Sequence, residues 1–201
     1  MPRVSKDQAD HNKVAITEVS ARLFRQHGVD NVSVAELMAA AGLTHGGFYG
    51  HFESKEELAG EACRWAFGRS AQRWRKRIAD KNDPGLARAA LTDSYLSAQS
   101  RGGPDGSCPA TSLAGDVARK SADAPIRTAY AAGVEELLKI LASVQDTGAP
   151  GSDREAALAD FATMVGGLIL AKATLGEPIS DEILAAARRR LKSRPPGPLG
   201  T

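Results

Sequence analysis

Three serines in this chain, Ser33, Ser54 and Ser152, each stand three residues before a glutamate at the head of an apolar-periodic run. That spacing predicts a capping box, in which the serine hydroxyl and the glutamate carboxylate each satisfy a backbone N–H left open by the first helical turn. Between these signals the apolar residues recur at helical intervals. Residues 12–27 place Ile16, Val19, Leu23 and Phe24 on one face. From Pro125, suited to a first helical position, the stripe runs Ile126, Tyr130, Val134, Leu137, Leu141 and Val144. It resumes after Ser152 as Leu158, Phe161, Val165, Leu168 and Lys172. No stretch reads as a β-strand and no segment repeats. The expected fold is all-α, with about nine helices.

Glycine and proline punctuate the helices. Gly28 and Gly42 follow helical runs as terminating residues, and Thr44 is a natural N-cap for the segment after it. Asn82-Asp83-Pro84-Gly85 is a break after a long helix from Ser54 to about Lys81. Helices are then expected over 85–100 and 109–120, from 125, from 152 and from about 180. The organisation read from these breaks is a flexible arm over 1–11, a small helical domain over 12–58, a larger one over 59–192 and a disordered tail over 193–201.

The 201 residues are 42% hydrophobic and 25% charged, within the range of globular proteins. No unbroken apolar run reaches the 18 or so residues of a membrane span, and residues 1–13 lack the apolar core of a secretory leader. The two cysteines, Cys63 and Cys108, suit neither a disulfide framework nor a zinc site. A cytoplasmic protein without membrane contact, cofactor or metal is expected. Formal net charge is +2, and residues 1–52 carry five basic against five acidic groups, so bulk charge argues only weakly for a nucleic-acid partner.

Local geometry argues for one more strongly. Residues 33–52 read as short helix, tight turn, short helix, the size of a helix-turn-helix. In that unit the second helix enters the major groove with its N-terminal residues leading. Here that helix contains Gly46, Gly47 and Gly50, each costing roughly 0.5–1 kcal/mol in a helix interior relative to alanine. Side-chain-free backbone at the leading turn permits close approach to base edges or phosphates.

The stretch "ARLFRQHGVDNVSVAELMAAAGLTHGGFYGHFESKEEL" resembles the DNA-binding domain of the TetR/AcrR family of bacterial transcriptional regulators. Leu23, Phe24, Gly28, Ser33, Ala41, Gly42, Gly46, Phe48, Tyr49, His51, Phe52, Lys55 and Leu58 fit the family pattern in order. The resemblance implies an all-helical homodimer that usually represses transcription from a pseudo-palindromic operator and releases DNA on binding a small effector. It implies a DNA-binding set that includes Ser33, with phosphate contacts from Thr44, Tyr49 and Lys55, base edges facing His45, Gly46 and Gly47, and His51 near the backbone. Phe48 and Phe52 are expected in the small domain's core.

The larger domain is expected to enclose an effector. Trp65, Phe67, Trp74, Tyr95, Leu113 and Tyr130 are candidate pocket residues, each weighed against plain core packing. Cys108, ahead of Pro109, is expected at a helix N-terminus, where a thiol's pKa falls, and its glycine-rich flank suggests exposure. The same stretch resembles a subset of the family that senses electrophiles through a cysteine, the alternative being a small capping residue. Cys63 reads as a buried structural thiol. "RWRKR" at 73–77 reads as a solvated face. Phe161, Val165 and Leu168 are candidates for the dimer interface, with Gly166 and Gly167 allowing close helix approach. Two other functions stay open: a thiol enzyme using Cys108, for which no base is evident, and a ligand-binding protein without DNA binding.

Overall fold

The computed structural model describes residues 6–103, 108–148 and 151–193. Among these residues it contains ten α-helices, one 3₁₀ helix and no strand. The helices are α1 (Lys6–His27), α2 (Val34–Ala40), α3 (Lys55–Ile78), α4 (Pro84–Tyr95), α5 (Ala98–Gly102) and α6 (Pro109–Ser112). They continue as α7 (Ala114–Ala118), α8 (Pro125–Ala142), α9 (Ser152–Ala173) and α10 (Pro178–Lys192), with the 3₁₀ helix at His45–Gly50. Two expected helices are each divided. Ser97 starts α5 afresh by accepting the Ser100 N–H, and a break at Leu113 separates α6 from α7. Helix α1 begins at Lys6, inside the expected arm; the expected tail beyond Ser193 lies outside the described residues.

The chain divides into two compact units. The first comprises Met1–Gly68 and Ser112–Gly133, the second Arg69–Thr111 and Val134–Thr201. The boundary expected after residue 58 therefore moves, because residues 112–133 join the N-terminal segment. Asp116 draws them in by accepting the Val29 N–H at 3.0 Å, and Lys120 pairs with Asp30. Pro125 packs so closely on Gly60 that a Cβ there would lie 3.0 Å from it. Phe67 meets Tyr130 edge to face, 5.3 Å between ring centres.

In the first unit α1 buries Ile16, Thr17, Ser20, Ala21 and Phe24. The buried face is rotated from the expected one, leaving Val19 and Leu23 on its flanks. Leu37, Met38, Phe48, Phe52 and Leu58 complete this core. Gly28 and Gly42 take positive φ of 87° and 73°, which explains glycine at both helix ends.

In the second unit α9 packs on α4, α5 and α10. Its buried face is Ala156, Ala157, Phe161, Met164, Leu168 and Ala171, with Asp160 accepting a hydrogen bond from Gln145 at 3.0 Å. Phe161 and Leu168 are thus buried within one protomer, which removes both from the expected dimer interface; Val165 is half-buried. Leu158, Ile169 and Leu170 point outward instead. With apolar residues on both faces, α9 is long and apolar enough to cross a membrane by length and composition. Only 39% of that window is buried here, so an apolar face remains uncovered.

Candidate nucleic-acid interface and second-unit cavity

The proposed reading head grows from a well-capped helix. Ser33 Oγ accepts the Glu36 N–H at 3.2 Å, while Glu36 Oε2 accepts from the Ser33 N–H at 2.7 Å. These bonds hold the Glu36 carboxyl below its ordinary pKa. Ser33 Oγ also donates to Glu36 at 2.7 Å, so this hydroxyl is already committed and donating it to DNA would require giving that bond up. The second box closes differently: Ser54 Oγ accepts from Glu57 N–H, but the Glu57 carboxylate takes the Glu53 N–H. The third does not form. Ser152 is the first residue of α9, Gly151 takes the cap position at φ 82°, and Asp153 accepts from Thr147.

The glycine-bearing helix is 3₁₀ rather than α, with Gly47 N–H on Thr44 O at 3.0 Å and His51 N–H on Phe48 O at 2.9 Å. Three glycines in six residues weaken α-helix propensity, and the short segment takes the tighter turn. Phe48 and Phe52, 5.8 Å apart between ring centres, anchor it from below, and the Lys13 ammonium lies over the Phe52 ring. Thr44 has the backbone conformation of a cap but makes no side-chain cap bond, so its hydroxyl is free. Tyr49 is 69% exposed. His45, Gly46 and Gly47 are exposed, and His51 and Lys55 are half-buried.

The glycines do not serve the chain's own packing. A Cβ on Gly46 or Gly50 would meet nothing within 4 Å, and one on Gly47 would make only ordinary contacts with Met38 and Thr44. None of the three takes positive φ.

A cavity of about 60 Å³ lies within the second unit. Trp74, Tyr95 and Cys108 line it, as the sequence suggested. Trp65, Phe67, Leu113 and Tyr130 belong to the first unit and do not, since the Phe67–Tyr130 and Leu113 packing is core packing there. Sequence reasoning missed Ser70, Arg73, Arg77, Ser94 and Ser100, which join the wall together with Leu91 and Leu168. The signal was present: Arg69, Arg73 and Arg77 recur every fourth residue and share a helix face. The basic residues of "RWRKR" are exposed, as expected of a solvated face, and the buried Trp74 is the exception. Trp74 is buried, Arg75 pairs with Glu136, and Arg73 and Arg77 face the cavity.

Cys108 precedes α6 as expected, but it is buried, which corrects the expectation of an accessible, acidified thiol. Burial raises its pKa; the Tyr95 hydroxyl and the N–H groups of Ala110 and Thr111 offset this only in part. Its glycine-rich flank at 104–107 lies outside the described residues. Cys63 is buried too, its thiol pushed up to about 12.

Residues 16–62 match the family described as bacterial regulatory proteins, tetR family. AcrR, an HTH-type transcriptional regulator from Shigella flexneri, is 41% identical over 61 residues, 30% of this chain and 28% of AcrR. The HTH-type transcriptional repressor KstR2 of Mycobacterium tuberculosis is 33% identical over 73 residues, 34% of this chain and 36% of KstR2. Both matches therefore span well under half of each relative's length. A TetR-family regulator structure from Cytophaga hutchinsonii has the same fold, with a TM-score of 0.77 at 21% identity over 94% of this chain and 96% of that one.

Proposed function

We propose that this chain, whose residues 16–62 match the tetR family of bacterial regulatory proteins, is a TetR/AcrR-family dimeric repressor whose operator is read by the His45–Gly50 helix. One observation carries the reading. Gly46 and Gly50 stand on an exposed surface where the protein has room for side chains and carries none, beside the free Thr44 hydroxyl and the exposed Tyr49. Bare backbone flanked by hydroxyl donors suits a groove edge, where phosphate contacts set register and base contacts set sequence.

Thr44, Tyr49 and Lys55 serve as the phosphate contacts, with His45, Gly46 and Gly47 toward the bases and His51 near the backbone. Ser33 acts chiefly as the cap that fixes α2. Two such helices in a dimer require half-sites about 34–36 Å apart or a multiple of that. The exposed apolar residues Leu158, Ile169 and Leu170 on α9 support pairing there rather than through Phe161 and Leu168.

The second-unit cavity is the effector site in this reading. Helix α3 carries Lys55 at its first residue and Arg73, Trp74 and Arg77 of the cavity wall further along, so one continuous element bears both sites. An effector acts by binding the DNA-competent and released states with different affinity. A buried thiol with a raised pKa counts against direct electrophile sensing by Cys108 and against thiol catalysis. The histidines (His11, His27, His45 and His51) all belong to the first unit, so none stands in the Cys108 cavity as a base.

The test is fluorescence anisotropy on duplex DNA from upstream of the gene, titrated at several salt concentrations. Specific binding with a steep negative slope of log affinity against log salt is expected, shallower in Lys55→Ala, whereas Thr44→Ala weakens binding at every salt concentration with the slope unchanged. Salt-independent binding, or none across an unbiased operator selection, refutes the proposal.

A further inference from the structure

Resting on the effector reading of the second-unit cavity, we propose that this cavity is built for the carboxylate group of a small organic acid. Among the described residues the wall carries two guanidinium groups, Arg73 and Arg77, and no aspartate or glutamate. Neither arginine has an ion-pair partner among the described residues. Arg73 makes one side-chain hydrogen bond, donated to Ser70 Oγ at 2.9 Å, and Arg77 makes none.

Four other arginines of this unit are paired: Arg75 with Glu136, Arg88 with Asp160, Arg101 with Asp181 and Arg154 with Glu135. Arg188, Arg189 and Arg190 on α10 have no ion pair among the described residues either, so what sets Arg73 and Arg77 apart is their convergence on one cavity without a carboxylate in its described wall. Both are solvent-exposed and lie four residues apart on α3, where like charges disfavour each other modestly and a bound anion would offset this.

Three further features fit a carboxylate. Ser70 is 2% exposed, and its only hydrogen bond is the one accepted from Arg73, which leaves its own proton available to an acceptor in the cavity. Burial raises the pKa of the Cys108 thiol beside Arg73, and the surrounding protein, exposed as Arg73 is overall, desolvates its guanidinium enough to lower its pKa. Trp74, Leu91 and Leu168 supply an apolar part of the wall, beside Ser94 and Ser100, against which a short hydrocarbon body can lie. A volume of about 60 Å³ is well below the ~150 Å³ that accommodates a benzene ring, so it fits an acid group with a few atoms attached.

The experiment follows Trp74 fluorescence in the full-length Trp65→Phe protein, titrated with acetate, propionate and butyrate at fixed ionic strength. Propionamide serves as the neutral isostere and phosphate as the inorganic anion. Saturable binding of propionate is expected, at least tenfold weaker in Arg73→Gln, partly retained in Arg73→Lys, and absent for propionamide. Propionamide binding as well as propionate overturns the proposal without any charge variant, as does undiminished affinity in Arg73→Gln. Phosphate binding more tightly than every carboxylate overturns the assignment to an organic acid. Parallel titrations onto operator DNA separate the two readings. Propionate binding that leaves DNA affinity unchanged upholds the acid site and refutes its role as effector site. Release of DNA by neutral compounds, without carboxylate binding, refutes the acid site and leaves the regulator reading standing.

Discussion

Phe48 and Tyr49 are sequence neighbours with opposite environments, 1% and 69% exposed, and their contrast fixes which way the 3₁₀ helix faces. The glycines beside them give a separable prediction. Gly46→Ala should raise thermal stability by a modest amount, up to about 0.5–1 kcal/mol, because the alanine loses less backbone entropy and meets no neighbour. The same variant should bind operator DNA at least tenfold more weakly. Melting curves and anisotropy on one preparation check both, and a variant that is more stable with unchanged DNA affinity would show the glycines are incidental. The thiols give a second. With Cys63 near 12 and Cys108 raised by burial, iodoacetamide at pH 8 should alkylate the native protein at least tenfold more slowly than the guanidinium-unfolded chain. Equal rates would restore Cys108 as an accessible thiol.

At the scale of elements, capping chemistry was legible to different degrees at the three serines. Ser33 and Glu36 close a full box because nothing nearby competes for either group. At Ser152 the preceding Gly151 adopts a left-handed backbone and Asp153 takes the Thr147 N–H, so the helix starts one residue earlier than the spacing implied. Ser33→Ala should therefore cost about 0.5–2 kcal/mol in chemical denaturation, and Ser152→Ala less than about 0.5 kcal/mol. Equal losses would contradict the assigned caps. The approach of α8 to α3 in the first unit is set by Gly133, where a Cβ would lie 2.2 Å from the Phe67 ring. Gly133→Ala should destabilise by about 1–3 kcal/mol through overpacking, and Phe67→Leu should recover part of that loss in the double variant. Strict additivity of the two single changes would mean that they do not meet.

For the whole molecule, the uncovered apolar face of α9 sets the expected assembly. Leu170→Glu should shift the sedimentation coefficient from dimer to monomer and abolish tight operator binding, while far-UV circular dichroism stays helical. A dimer that persists in this variant would move the interface elsewhere. The local sequence determined what depends on near neighbours along the chain: all-helical periodicity, the caps at Ser33 and Ser54, the glycine-terminated turns, and the ordered residues of the helix-turn-helix, for which hydrogen-bonding and steric requirements act within a few positions. What tertiary structure decided depends on contacts across long separations. Asp116 and Pro125 draw residues 112–133 into the first unit, and burial beside Tyr95 reverses the expected acidity of Cys108. The inward faces of Phe161 and Leu168 and the cavity-facing Arg73 and Arg77 were hidden for the same reason. Helical spacing shows which residues share a face, but desolvation and packing against distant segments determine which face meets the core.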